Sequence, residues 1–295
     1  RSGHIDPIIM VAMDINELLL THEVAIRAGV FFGVLILMAV WEVFAPRRAS
    51  TISKVVRWGN NLGLVVFNSI LLRFIFPTAA VGVAIFVSEH NWGLLNFLHL
   101  PPLISVAISI VVLDFVIYFQ HVLMHAIPAL WRLHRVHHAD LDYDFTTGVR
   151  FHPLEIIVSM LIKFVAILIL GPPVAAVVIF EIILNASSMF NHGNIKLPAA
   201  LDRILRLLIA TPDMHRIHHS VEKDESNRNF GFNLSWWDHL FDTYRQQPRA
   251  GHEEMVVGIQ NYRELRDVTS IHGLLLLPFR NKPDELTVDH HGPRN

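Results

Sequence analysis

Five apolar stretches of seventeen residues or more leave this chain few choices of solvent. They run Val24–Phe44, Leu62–Val87, Leu103–Phe119, Leu154–Leu170 and Val174–Phe190. About 20 apolar residues make a helix long enough to cross some 30 Å of hydrocarbon, and about 17 is the lower limit. Charge is correspondingly scarce: 17% of the 295 residues, against 52% hydrophobic, where a soluble domain usually carries about a quarter. The second stretch is interrupted by Arg73 and Pro77. The last two are joined by Gly171-Pro172-Pro173, which makes them a tight hairpin. Length alone leaves open whether that hairpin crosses or dips in and returns. Lys163 and Glu181 lie nine residues before and after Pro172, so the hairpin brings them to one depth, where an ion pair offsets part of the cost of burying either charge.

The loops set an orientation. Arg47, Arg48, Lys54 and Arg57 fall between the first two stretches, whereas residues 88–102 contain no Lys or Arg. By the positive-inside rule the first of these loops is cytoplasmic, and alternation then puts residues 120–153 and everything after Phe190 on the cytoplasmic side. The expected architecture is all-α: about four transmembrane helices, the last pair a short hairpin, under a cytoplasmic helical cap. Residues 1–20 are expected to be a poorly ordered N-terminal segment, 21–245 the membrane-embedded unit, and 246–295 a polar tail. Residues 201–210 read as an amphipathic helix at the interface.

Onto that cytoplasmic edge the chain concentrates imidazole. "HVLMH" supplies His121 and His125, "HRVHH" His134, His137 and His138, "HRIHH" His215, His218 and His219, with His152 and His192 as singles. Spacings of three and four residues put side chains on one helix face, so each group can aim at one point. Neutral imidazole ligates Zn, Fe, Cu and Ni, and two triplets, a pair and two singles exceed what one ion uses. Two ions are the natural count. His22, His90, His99, His239 and His252 are isolated and read as ordinary interfacial residues, and His290 and His291 lie in the tail.

The blocks "HVLMH", "HRVHH", "RFHPLE", "FNHGN", "TPDMHRIHH" and "NFGFNLSWWDHLFDT", in that order between Trp41 and Thr243, resemble the fatty acid hydroxylase/sterol desaturase superfamily. The resemblance implies a di-iron centre ligated by His121, His125, His134, His137, His138, His152, His192, His215, His218 and His219. It also implies O2-dependent hydroxylation or desaturation of a lipid C–H bond. His239 and Asp242 depart from the family's usual residues, without touching the ligands.

Chemistry points the same way. Cleaving an unactivated C–H bond needs a redox-active metal, which zinc is not, although zinc can displace ferrous iron during purification. The chain has no cysteine, so disulfides, thiolate sites and iron–sulfur clusters are excluded. It has no flavin or nicotinamide fingerprint either, so electrons must come from outside, from a cytochrome b5-like protein or a ferredoxin and its reductase. A net charge of −2 gives no reason to expect nucleic acid. The setting favoured is a bacterial cell membrane over the endoplasmic reticulum. Rival readings are a membrane zinc hydrolase, for which ten histidines are too many, and a metal transporter or haem carrier. A transporter's ligands would lie near mid-membrane.

Five acidic or amide residues are candidates for orienting the imidazoles. Asp114 sits seven residues before His121, within about 20° around the helix and roughly 10 Å deeper; it either supports a ligand or bonds another helix. Asp213 and Asp238 either orient imidazoles or cap turns. Asn191 and Asn194 flank His192.

Overall fold

The computed structural model describes residues 19–280. Almost all of the expected N-terminal segment 1–20, and His290 and His291, lie outside the described residues. Helices α1 (Glu23–Phe44), α2 (Lys54–Ile75) and α3 (Ala79–Glu89) come first, then α4 (Pro102–Ala126) and α5 (Pro128–His138). The hairpin follows as α6 (Pro153–Leu170) and α7 (Val174–Asn191). The cap adds α8 (Ala199–Leu205), α9 (Pro212–His218), α10 (Trp236–Leu240), α11 (Leu265–Thr269) and α12 (Ile271–Leu276), with shorter turns between.

The stretch read as one apolar segment, Leu62–Val87, is two helices. Pro77 has no N–H to continue the helix and disfavours helical backbone at Phe76. The chain breaks at 76–78, where Arg73 donates to the Pro77 carbonyl at 2.7 Å. Among the described residues, five helical stretches are long and apolar enough to cross a membrane: α1, the region 54–98, α4, α6 and α7. A core of Ala80, Ala84, Val87, Leu113, Ile167 and Phe180 joins α3, α4, α6 and α7.

The hairpin turns where glycine is needed. Gly171 has φ 67°, and a Cβ there would lie 2.5 Å from the Trp92 carbonyl oxygen. Lys163 Nζ donates to Glu181 Oε1 at 2.6 Å, as the register about Pro172 predicts. A third charge joins from α1: Arg27 reaches Glu181 Oε2 at 2.8 Å.

Past residue 245 the chain is no simple tail. Residues 250–280 fold back under α5, where Ile259, Tyr262, Val268, Leu274 and Leu277 bury Trp131 and Val136. The apolar residues that do this are spread among polar ones at no single period, so composition hides them. Below α5 lies a buried ionic knot. Arg57 of α2 donates to both oxygens of Asp140, at 3.0 and 2.7 Å, and pairs with Asp144. Burial alone would raise the Asp140 carboxyl, but Arg57 and Arg150 beside it hold it below its usual range. The knot fixes the loop that leaves the HRVHH helix.

Candidate metal centre

Nine of the ten histidines converge, in two groups. His121, His125, His134, His138 and His218 form one; His137, His192, His215 and His219 form the other, and within each the candidate ligand nitrogens all lie within 4.8 Å of one another. Helical spacing explains the sorting. His134 and His138 lie about 40° apart around α5 and join the α4 pair, while His137 is offset by about 60° to the other side of His134 and joins the second group. On α9 and its C-cap, His215 and His219 turn to the second group and His218 to the first. Adjacent members of both HxxHH runs are thus divided between two sites, which touch: His138 and His219 stack at 4.4 Å between ring centroids.

Several rings have their tautomer set from behind. His121 Nδ1–H donates to the Phe230 carbonyl (2.8 Å), His192 Nδ1–H to that of Ser188 (2.7 Å) and His218 Nδ1–H to that of Arg228 (2.8 Å). His134 Nδ1–H donates to Glu155 Oε1 at 2.6 Å, with both side chains buried. A proton fixed on Nδ1 leaves a lone pair on Nε2, the arrangement used by metal-bound histidine.

Those Nε2 atoms face each other. His121 and His134 approach to 3.1 Å, as do His125 and His138, and His137 and His192; His192 and His219 approach to 3.2 Å. Both nitrogens of His215 and Nε2 of His218 are buried with no hydrogen-bond partner. Burial, then neighbouring imidazoles, push His134, His137, His138, His192, His215, His218 and His219 well below the usual imidazole range. The rings with these shifts are therefore neutral near pH 7, and between His121 and His134, both carrying their proton on Nδ1, two lone pairs oppose each other in a way that a shared cation satisfies. The donor set fits two late first-row divalent ions.

His152 stands outside both groups. It is the N-cap of α6: its Nδ1 accepts from Leu154 N–H and its Nε2 bonds the Leu275 carbonyl, each at 3.2 Å. The Pro153 that follows fixes the start of α6 and turns this ring toward the helix end. Of the isolated histidines left out, His252 is buried, 3.8 Å from Asp213, and likewise outside the groups.

The candidate supporting residues sort differently. Asp114 bonds no imidazole; its Oδ2 accepts from Trp237 Nε1 at 2.8 Å and Leu234 N–H at 3.2 Å, tying α4 to the cap. Asp238 acts at one remove. It accepts from the N–H groups of Phe230 and Gly231, both at 2.8 Å, and so holds the carbonyl that orients His121; burial pushes it up to about 6. Asp213 pairs with Arg216, whose guanidinium lies 5.2 Å over Tyr143, and that ring stacks on His192 at 5.5 Å. Asn191 donates to the Phe232 carbonyl at 2.7 Å, and Asn194 bonds the backbone of Arg48.

Residue-by-residue reading missed Glu155 and Tyr143. Glu155 had a signal, a lone carboxylate opening an apolar helix, which by default suggests function. The carbonyls of Phe230, Ser188 and Arg228 leave no trace in side-chain identity. Gly148 is a further packing requirement: a Cβ there would sit 2.2 Å from the Ser188 carbonyl oxygen and 2.9 Å from His192 Nδ1.

A cavity of about 390 Å³ opens beside the first group, between α1, α2, α4, α6 and α7. His121, His134 and Glu155 line one part, Arg27, Lys163 and Glu181 another, and Ile117, Met160 and Leu184 are among the apolar side chains of its wall. Along α6, Glu155 and Lys163 are separated by roughly 12 Å. The cavity is amphiphilic and borders helices that are apolar enough for a bilayer.

Residues 106–243 match the family described as fatty acid hydroxylase, a stretch that contains all nine grouped histidines. Ornithine lipid hydroxylase OlsE of Rhizobium tropici is 30% identical over 150 residues, covering 50% of this chain and 44% of that protein. Alkylglycerol monooxygenase of Homo sapiens is 27% identical over 151 residues, covering 50% and 31%. The Caenorhabditis elegans alkylglycerol monooxygenase is 25% identical over 185 residues, covering 60% and 34%. The chain thus spans less than half the length of these relatives. No solved structure matches it significantly.

Proposed function

We propose, for a chain that belongs to the fatty acid hydroxylase family over residues 106–243, the O2-dependent hydroxylation of a C–H bond in an amphiphilic membrane lipid. The observation that carries this reading is the pair of touching, fully buried imidazole groups, with one edge on an amphiphilic cavity between apolar helices. His121, His125, His134, His138 and His218 would hold one iron, and His137, His192, His215 and His219 the other. Bound there, two irons supply the oxidising power for C–H hydroxylation with O2 and two external electrons.

The protein's own part is positioning and exclusion. Glu155 and the carbonyls of Phe230, Ser188 and Arg228 hold the protons on Nδ1. Apolar walls in the cavity keep the lipid's chain dehydrated, while Asn68, Gln120 and Ser159 among its lining suit a substrate with polar as well as apolar parts. Zinc hydrolysis accounts poorly for nine ligands. Desaturation would use the same residues, but relatives named as hydroxylase and monooxygenase favour oxygen insertion. The ligand side faces the cytoplasm in this reading, within reach of a soluble or b5-like electron donor.

The test is lipid mass spectrometry of cells expressing the chain, grown in air or shifted to argon. A lipid gaining one oxygen atom, only in air and only with the histidines intact, is the expected result. Unchanged product formation under argon would remove the oxygenase classes altogether.

A further inference from the structure

Separate from the substrate cavity, on the cap, lies a groove of about 880 Å³ between the end of α1, helix α8 and the chain near His252. Four cations line it, Arg47, Lys196, Arg203 and Arg206, against two carboxylates, Asp202 and Asp213. Arg206 is paired with Asp202 at 2.7 Å. Arg47 is shared between Asp213 at 3.4 Å and Glu253 at 2.7 Å. Lys196 and Arg203 are exposed, and no ion pair to either is present among the described residues. Glu253 also interacts electrostatically with Lys196, but four cations against two lining carboxylates leave the groove an excess of positive charge, with Arg203 in no ion pair among the described residues.

The cap beside it dips to membrane depth. Trp237 of α10 packs on Phe115 of α4 at 5.0 Å between ring centroids, and Phe241 on the same ring at 5.9 Å. Phe115 lies six residues before His121, which is roughly 9 Å nearer the middle of the spanning helix. The α8 segment is tied to α10: Trp236 Nε1 donates to the Leu207 carbonyl at 3.0 Å and Ser235 Oγ to that of Arg206 at 2.7 Å. Along this edge Ile204, Leu207 and Leu240 are 61%, 64% and 68% exposed. Apolar side chains so bare, joined to a span at that depth, are covered by lipid in an interfacial arrangement. Lys196 and Arg203 then stand at headgroup height.

We propose that this groove binds the headgroup of an anionic phospholipid from the leaflet on the cap side, with Lys196 and Arg203 donating to its phosphate and the α8–α10 edge packing its acyl chains. A protein partner is disfavoured because the apolar edge is continuous with the spans. Each basic residue near an anionic membrane surface contributes about fivefold to binding, so removing both predicts a loss on the order of tenfold or more.

The full, metal-loaded chain is reconstituted in nanodiscs of phosphatidylcholine with a minority of phosphatidylglycerol, then released for native mass spectrometry. The wild type should retain phosphatidylglycerol above its share of the bilayer. The Lys196→Gln/Arg203→Gln variant should lose that enrichment, and Arg266→Gln, away from the groove, should keep it. Equal enrichment in wild type and double variant, or none in the wild type, overturns the proposal. So does unchanged lipid retention with a raised KM for an acidic electron-donor protein, which would assign the groove to that partner. The readout needs no turnover, so it stands or falls separately from the oxygenase reading.

Discussion

Glu155 illustrates how one atom governs a ligand. Its Oε1 accepts a hydrogen bond from His134 Nδ1–H at 2.6 Å, and that bond leaves Nε2 free to point at His121. Removing such an outer partner typically costs about 10–100-fold in metal affinity. Glu155→Ala should therefore lose one ion selectively on mild chelation, followed by elemental analysis, whereas Glu155→Gln, still an acceptor, should keep most of it. Retention of both ions by the alanine variant would show that the carboxylate does not hold the ring. His152 gives the converse case. As the N-cap of α6, its replacement by Ala should cost about 1 kcal/mol of stability, read from thermal melts, and leave both ions bound. Metal loss in His152→Ala would instead restore it as a ligand. Sequence spacing made nine of these histidines legible, because i+3 and i+4 define a face. It could not separate His152, whose ring direction depends on the turn at Pro153 and on Leu275, distant in sequence.

Between elements, the hairpin pair shows what register can and cannot predict. Equal offsets from Pro172 were enough to bring Lys163 to Glu181. Arg27 was not foreseeable, because the height of α1 against α7 is set by packing rather than by any turn. The same limit hid the contacts of residues 250–280 with Trp131, whereas the α2–α3 break is local and follows from Pro77. With Glu181 in both pairs, removing it alone leaves Lys163 uncompensated in an apolar surround, a class of change that costs about 3–5 kcal/mol. Glu181→Gln should thus be strongly destabilising in detergent or bilayer. Lys163→Met together with Glu181→Gln should cost less than the sum of the single changes. Strict additivity would mean that the two charges are independently solvated and do not pin the hairpin.

For the whole molecule, the proposed metal centre would also be a folding element. Four separate segments, 121–138, 192, 215–219 and the α6 start at Glu155, meet only where the two imidazole groups form. An ion that binds the folded chain alone stabilises it by mass action, about 2.7 kcal/mol at a hundredfold excess over Kd. Ferrous iron added anaerobically to metal-free protein at pH 7 should raise its melting temperature, with a breakpoint at two ions per chain; a breakpoint at one would reduce the nine histidines to a single site. Acid should reverse the gain, and the sign follows from burial. The cap imidazoles are held below their usual values in the fold, and His252 is pushed down to about 4, whereas an unfolded histidine titrates near 6.5. The unfolded chain therefore binds more protons as pH drops, so stability is full above about 6.5 and falls below it. Metal-free protein should melt progressively lower from about pH 6.5 toward pH 4. The metal-loaded form should fall more steeply, because each proton taken up also displaces a ligand. Melting temperatures independent of pH across that window, in the metal-free chain, would mean that the imidazoles are already solvated without metal and that the buried centre is not preformed.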